Sequence, residues 1–138
     1  MKELKEIAYR VGPGGMLEGF SYHDGGLLGV HLLRRPDALD VRLDLVTYDE
    51  RRVELLLCGV THLDVTSFRQ GNIVLDIRLV TVAEAVVDDE LVAAMANRLY
   101  LDSTRLPATI GSHVLFLSSS YGAGLIATLH GIRVMEAD

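Results

Sequence analysis

The chain has no tryptophan, a single cysteine and an aromatic content of only 6 %. Each scarcity removes a class of function. Cys58 alone allows neither an internal disulfide nor a cysteine-built zinc site. Within VELLLCGV it is expected to pack as a small buried hydrophobe. With so few rings, a stacking platform for sugars or nucleobases is not indicated. No apolar run approaches the ~18 residues that a membrane helix needs, and the longest are strand-sized. The opening MKELKEIAYR carries charges throughout and has no apolar core, so no signal peptide is expected. There is no Lys/Arg run and the net charge is −6, which argues against nucleic acid as a partner, because phosphate contacts need basic side chains. The expectation is a cytoplasmic protein that engages neither membrane nor nucleic acid.

What is abundant is apolar surface. Hydrophobic residues make up 49 % of the 138 positions, and the mean hydropathy is +0.28. That length fits one domain, residues 1–138, with a real core. The apolar excess needs burial in a two-sided core or at a subunit interface, so a homodimer stays open.

The pattern is that of strands. ALDVRLDLVTY (38–48) sets Leu39, Val41, Leu43 and Leu45 on one face and Asp40, Arg42 and Asp44 on the other, as a half-buried strand does. LLGVHLLRR (27–35) reads as a strand closed by Pro36-Asp37. VELLLCGV (53–60) and THLDVTSF (61–68) continue extended, and RQGN (69–72) turns into IVLDIRLVTV (73–82). There Ile73, Leu75, Ile77 and Leu79 are expected on the buried face, opposite Asp76 and Arg78. The period changes once: in DDELVAAMANRLYL, Leu91, Met95 and Leu99 recur every four residues, with Asp88, Asp89 and Glu90 at the start and Arg98 near the end. That predicts a helix over about 88–100, its charges ordered to suit its dipole. HVLFLSSS (113–120) and LIATLHGIRVM (125–135) return to strand, joined by YGAG. The fold class is therefore α+β and predominantly antiparallel β, with about seven strands in a meander-like sheet, sandwich or partial barrel and one helix.

Chemistry-bearing patterns are few. His23-Asp24 has the residue types of a metal-dependent phosphohydrolase, but such sites hold them on helices among further His and Asp ligands. Here Gly19, Gly25 and Gly26 mark a turn. The plainer expectation is a turn in which Asp24 caps backbone N–H groups and His23 bonds locally. His62 and Asp64 share a strand face, as residues of a solvated face commonly do. SSSYGAG (118–124) lacks the leading glycine of a nucleophile elbow, and VGPGG (11–15) lacks the Lys and following helix of a phosphate loop. No catalytic residue, metal ligand or cofactor site is assigned.

In order and spacing, YHDGGLLGV, LDVRLDL, LLLCGVTHLDV, SFRQGNIVLDI and SSSYGAGLIATLHGIRV together span about residues 20–135. The chain resembles, over that stretch, the bacterial polymorphic-toxin immunity proteins of family fifty and the domains close to them. The resemblance implies a non-enzymatic domain that occludes a cognate toxin by shape and charge. It points to Tyr22, His23, Asp24, Asn72 and Tyr121 as partner-binding positions. Each also has a structural reading: Asn72 as a left-handed turn residue, Asp24 as a cap, Tyr121 as a sheet-end anchor.

Overall fold

The computed structural model describes residues 3–102 and 111–137. Along them run β1 (Leu4–Ile7), β2 (Arg10–Val11), β3 (Leu17–Glu18), β4 (Gly26–Arg35), β5 (Ala38–Val46), β6 (Arg52–Cys58), β7 (His62–Thr66), β8 (Asn72–Thr81), α1 (Val82–Ala85), α2 (Asp89–Leu99), β9 (His113–Tyr121), β10 (Gly124–Leu129) and β11 (Gly131–Ala137). Nine strands form one antiparallel sheet in the order β1-β11-β6-β5-β4-β8-β9-β10-β7, and β2 with β3 makes a separate ribbon. The sheet is not closed into a barrel. The antiparallel α+β class is as expected. The strands outnumber the expected seven because the 125–135 run breaks at His130 and because the N-terminal segment supplies β1, β2 and β3.

The sheet has two lobes that share one core. β5 keeps the alternation of its sequence: Val41, Leu43 and Leu45 are buried, and they pack with Val53, Leu55 and Leu57 of β6. From the second lobe, Val74, Ile77, Leu79, Leu115, Leu117, Leu125 and Leu129 meet them in the same cluster. Each fully buried leucine contributes roughly 2 kcal/mol of transfer free energy. The outer face of the second lobe carries Val80, Val114 and Ile126, which α1 and α2 cover with Ala85, Leu91, Met95 and Leu99. The expected helix is present as α2, but Asp88 is its N-cap rather than part of its first turn, accepting from Leu91 N at 3.1 Å and from Arg78 at 2.7 Å.

Two junctions join the lobes. At one corner β6 runs into β7 through Gly59–Thr61, and β10 into β11 through His130. Thr61 N donates to Thr128 O (2.8 Å) and His130 N to Cys58 O (2.9 Å), so hydrogen bonding follows the chain from one lobe to the other. Gly59, at φ +64, makes the bend. The other junction is slight: β4 meets β8 only through Gly26↔Ile73 and Leu27↔Asn72.

Two expectations are corrected. Ile73 and Leu75 lie outside the core, because the β8–β9 register shifts between Val74 and Asp76 and leaves Leu75 as the extra residue of a bulge. The inward side therefore passes to Val74 and returns at Ile77. Cys58 is not fully buried either; it stands on the opposite side of β6 from Leu57, where desolvation nevertheless pushes its thiol up.

Candidate functional site

Residues 21–25 bring together the turn of the predicted site. Asp24 takes a left-handed backbone (φ 61), and its N–H donates to Val74 O at 2.9 Å. His23 Nδ1 donates to Leu75 O at 2.7 Å, so the imidazole fastens the β8 bulge from across the chain rather than bonding locally. The Leu75 carbonyl, and after it the Asp24 carboxylate 3.6 Å away, raise the His23 imidazole above its ordinary 6.5. The Asp24 side chain faces His23 and caps no backbone N–H among the described residues, which corrects the expectation of a cap. Tyr22 is 7 % exposed: its ring lies 5.2 Å from Phe20, its hydroxyl donates to Leu17 O at 2.6 Å, and burial pushes its phenol up.

Asn72 is 4 % exposed and ties three segments together. Its Oδ1 accepts from Arg69 N (2.8 Å) and Ala123 N (2.9 Å); its Nδ2 donates to Arg69 O (2.7 Å) and Leu27 O (3.1 Å). That uses two acceptor and two donor positions, the full capacity of the amide. Its backbone is in a strand, and the left-handed residue between β7 and β8 is Ser67 (φ 55), which precedes the 69–72 turn. Tyr121 is the one member of the predicted set whose aromatic ring is exposed, and the Arg69 guanidinium carbon sits 6.0 Å from the ring centre.

A cleft of about 490 Å³ opens beside Tyr22, His23, Tyr48 and Arg51. Its cation and its buried hydroxyl are already engaged: Arg51 pairs with Asp49 at 3.2 Å and with Glu136, and the Tyr22 hydroxyl is turned inward. Three of the other histidines have separate partners. His31 meets Asp44 at 2.7 Å, His62 meets Thr128 at 2.9 Å, and His113 shares Ser112 and the His130 carbonyl. Among the described residues no group of three or more His, Cys, Asp or Glu is placed to hold a metal ion.

The feature that sequence reasoning missed is the long side of β4. β4 pairs with β5 along its whole length but with β8 only at residues 26 and 27, so no described residue pairs with the other edge from 28 to 35. The hydrogen-bond phase of that edge is set on β5. Leu39 gives its carbonyl to Val60 N at 2.7 Å and so faces away from β4. Its cross-strand partner Arg34, and by alternation Leu32 and Val30, therefore turn their own N–H and C=O outward. Val30, Leu32 and Arg34 lie opposite Leu43, Val41 and Leu39, on the core-facing side of the sheet, yet Leu32 is 54 % exposed because the second lobe does not reach it. Across the opening stand Val65 of β7 and Phe68, which with Leu28 and Val30 line a slot of about 380 Å³. Leu28 is 62 % and Phe68 50 % exposed. Among the described residues β7 pairs with β10 alone, and Arg98 of α2 holds it through Asp64 at 2.8 Å. Pairing between strands far apart in sequence decides which edge stays open, and no local pattern reports it.

Comparison with protein-family models, with curated proteins and with solved structures finds no match to this chain.

Proposed function

We propose that this chain is a non-enzymatic protein-binding module, and that a partner polypeptide occupies the slot between β4 and β7. The observation that carries the reading is the unpaired β4 edge from 28 to 35, bordered by leucines and a phenylalanine that a finished core would cover. Exposed apolar groups clustered beside unsatisfied main chain are what interfaces use and what stable surfaces avoid. The resemblance of residues 20–135 to the immunity family gives the partner a class: a toxin domain made in the same bacterial cell and occluded until export. Within the predicted partner-binding set, Tyr121 is exposed against Arg69, the residue after Phe68 of the slot. Tyr22 and Asn72 shape it from inside, and His23 and Asp24 hold the turn that leads into β4.

The test is calorimetric titration of the chain with the purified product of the gene beside its own. One-to-one binding is expected, weakened about 100-fold by Leu32→Asp, as for a residue at the centre of an interface. Undiminished binding by Leu32→Asp would place the partner elsewhere, and no binding at tens of micromolar would remove the immunity role. A homodimer joined at the same edge is the alternative reading. Sedimentation of the wild type at those concentrations separates the two.

A further inference from the structure

The charges around the slot do not follow the chain's net charge of −6. On the strand itself Arg35 is matched by Asp40 at 2.9 Å, and His31 by Asp44 at 2.7 Å. Arg34 is exposed and has no carboxylate partner among the described residues. Arg69, next to Phe68 at the other end of the slot, lies over Tyr121 and likewise meets no carboxylate among the described residues. An apolar slot with, near each end, a cation that meets no carboxylate among the described residues stands on an otherwise acidic protein. One wall of that slot is a strand edge whose N–H and C=O groups at Val30, Leu32 and Arg34 point outward.

From this we infer that the slot receives an extended segment of the partner, apolar at its centre and acidic at both ends, which adds to the sheet as a strand along β4. The inference rests on the protein-binding reading above and names its mode and chemistry. Main-chain bonds to Val30, Leu32 and Arg34 supply an affinity that does not depend on sequence. Alternate side chains of the incoming strand enter the slot against Leu28, Val30, Val65 and Phe68 and continue over Leu32, which follows Val30 on the same side of β4. Arg34 and Arg69 select acidic flanks and disfavour basic ones. A second copy of this chain fits less well: antiparallel pairing of two β4 edges would bring Arg34 and Arg35 of each copy to a strand that offers no acidic residue of its own between 28 and 35.

The probes are two nine-residue synthetic peptides with the same alternating Val/Thr centre, one flanked by glutamates and one by lysines. They are titrated into the full chain and followed by amide spectra and hydrogen exchange. The glutamate peptide is expected to bind at least tenfold more tightly than the lysine peptide, with new protection at Val30, Leu32 and Arg34. Arg34→Glu should reduce or reverse that preference. Leu32→Pro should weaken the glutamate peptide at least tenfold while the chain stays folded, because the N–H that it removes faces out rather than into the β5 ladder. Equal binding of both peptides, protection confined to other residues, or no binding of either at about 1 mM would overturn the inference. So would a dimer of the free chain that already protects these amides. If the neighbouring gene's product binds while Val30, Leu32 and Arg34 keep exchanging freely, this inference falls and the protein-binding reading stands.

Discussion

Asn72→Ala is expected to cost about 3 kcal/mol or more of folding stability, seen as a fall in the urea midpoint with little change in slope. The side chain is buried, and each of its four hydrogen bonds goes to a main-chain group: Leu27 O on β4, Arg69 N and O before β8, and Ala123 N between β9 and β10. Alanine leaves these groups without their partner in a place that water reaches poorly. The desolvation of orphaned groups, rather than the mean strength of a hydrogen bond, sets the size of the loss. Tyr121→Ala provides the contrast. The ring is exposed and touches Arg69, so about 0.5–1 kcal/mol is expected. If both variants unfolded at the same urea concentration, the role given to Asn72 would be wrong.

Gly25→Ala is expected to cost about 3 kcal/mol, at the high end for overpacking, because the obstruction is backbone. An added methyl group would overlap the Val46 carbonyl oxygen and stand 3.0 Å from the Tyr22 carbonyl oxygen. Neither can move alone. Gly25 N donates to Tyr22 O at 2.9 Å, and Gly25 O accepts from Val74 N at 2.9 Å. The residue sits where the slight β4–β8 junction begins, so the variant should loosen the second lobe against the first. Amides of Leu27 and Val74 should lose hydrogen-exchange protection before those of β5 and β6. Gly71→Ala, where an added methyl group meets nothing within 4 Å, is the control and should be close to neutral. Equal stability for the two variants would contradict the packing described around Gly25.

Much of the scaffold was legible because it is written locally. β5 alternates strictly, and its Val41, Leu43 and Leu45 are buried while Leu39 at its start is half-buried. α2 carries its acidic first turn and its four-residue apolar spacing within its own eleven residues. The same rule failed on β8, where Ile73 and Leu75 continue the alternation in sequence while a bulge turns them out of the core. A bulge is a property of two strands, so one strand's pattern does not report it. Tyr22 and Asn72 were expected at a binding surface from the resemblance. Asn72 is buried by partners as far as 45 and 51 residues away, which spacing does not encode. His23-Asp24 proved to be a turn, yet its histidine bonds a carbonyl 52 residues distant. The β4 edge was read correctly as a strand ending at Pro36-Asp37. Whether its far side has a neighbour depends on how β8 departs after two residue pairs, and only the folded chain shows that.

The most direct measurement is amide hydrogen exchange along β4 in the isolated chain, read residue by residue by NMR. An open β4 edge requires a strict alternation: His31 and Leu33, bonded to β5, exchange slowly, while Val30, Leu32 and Arg34 exchange at rates near those of an open strand edge. That result would leave the edge free for a partner. Equal, strong protection of all five amides would mean that the edge is already covered in the isolated chain, and the docking surface proposed here would not exist.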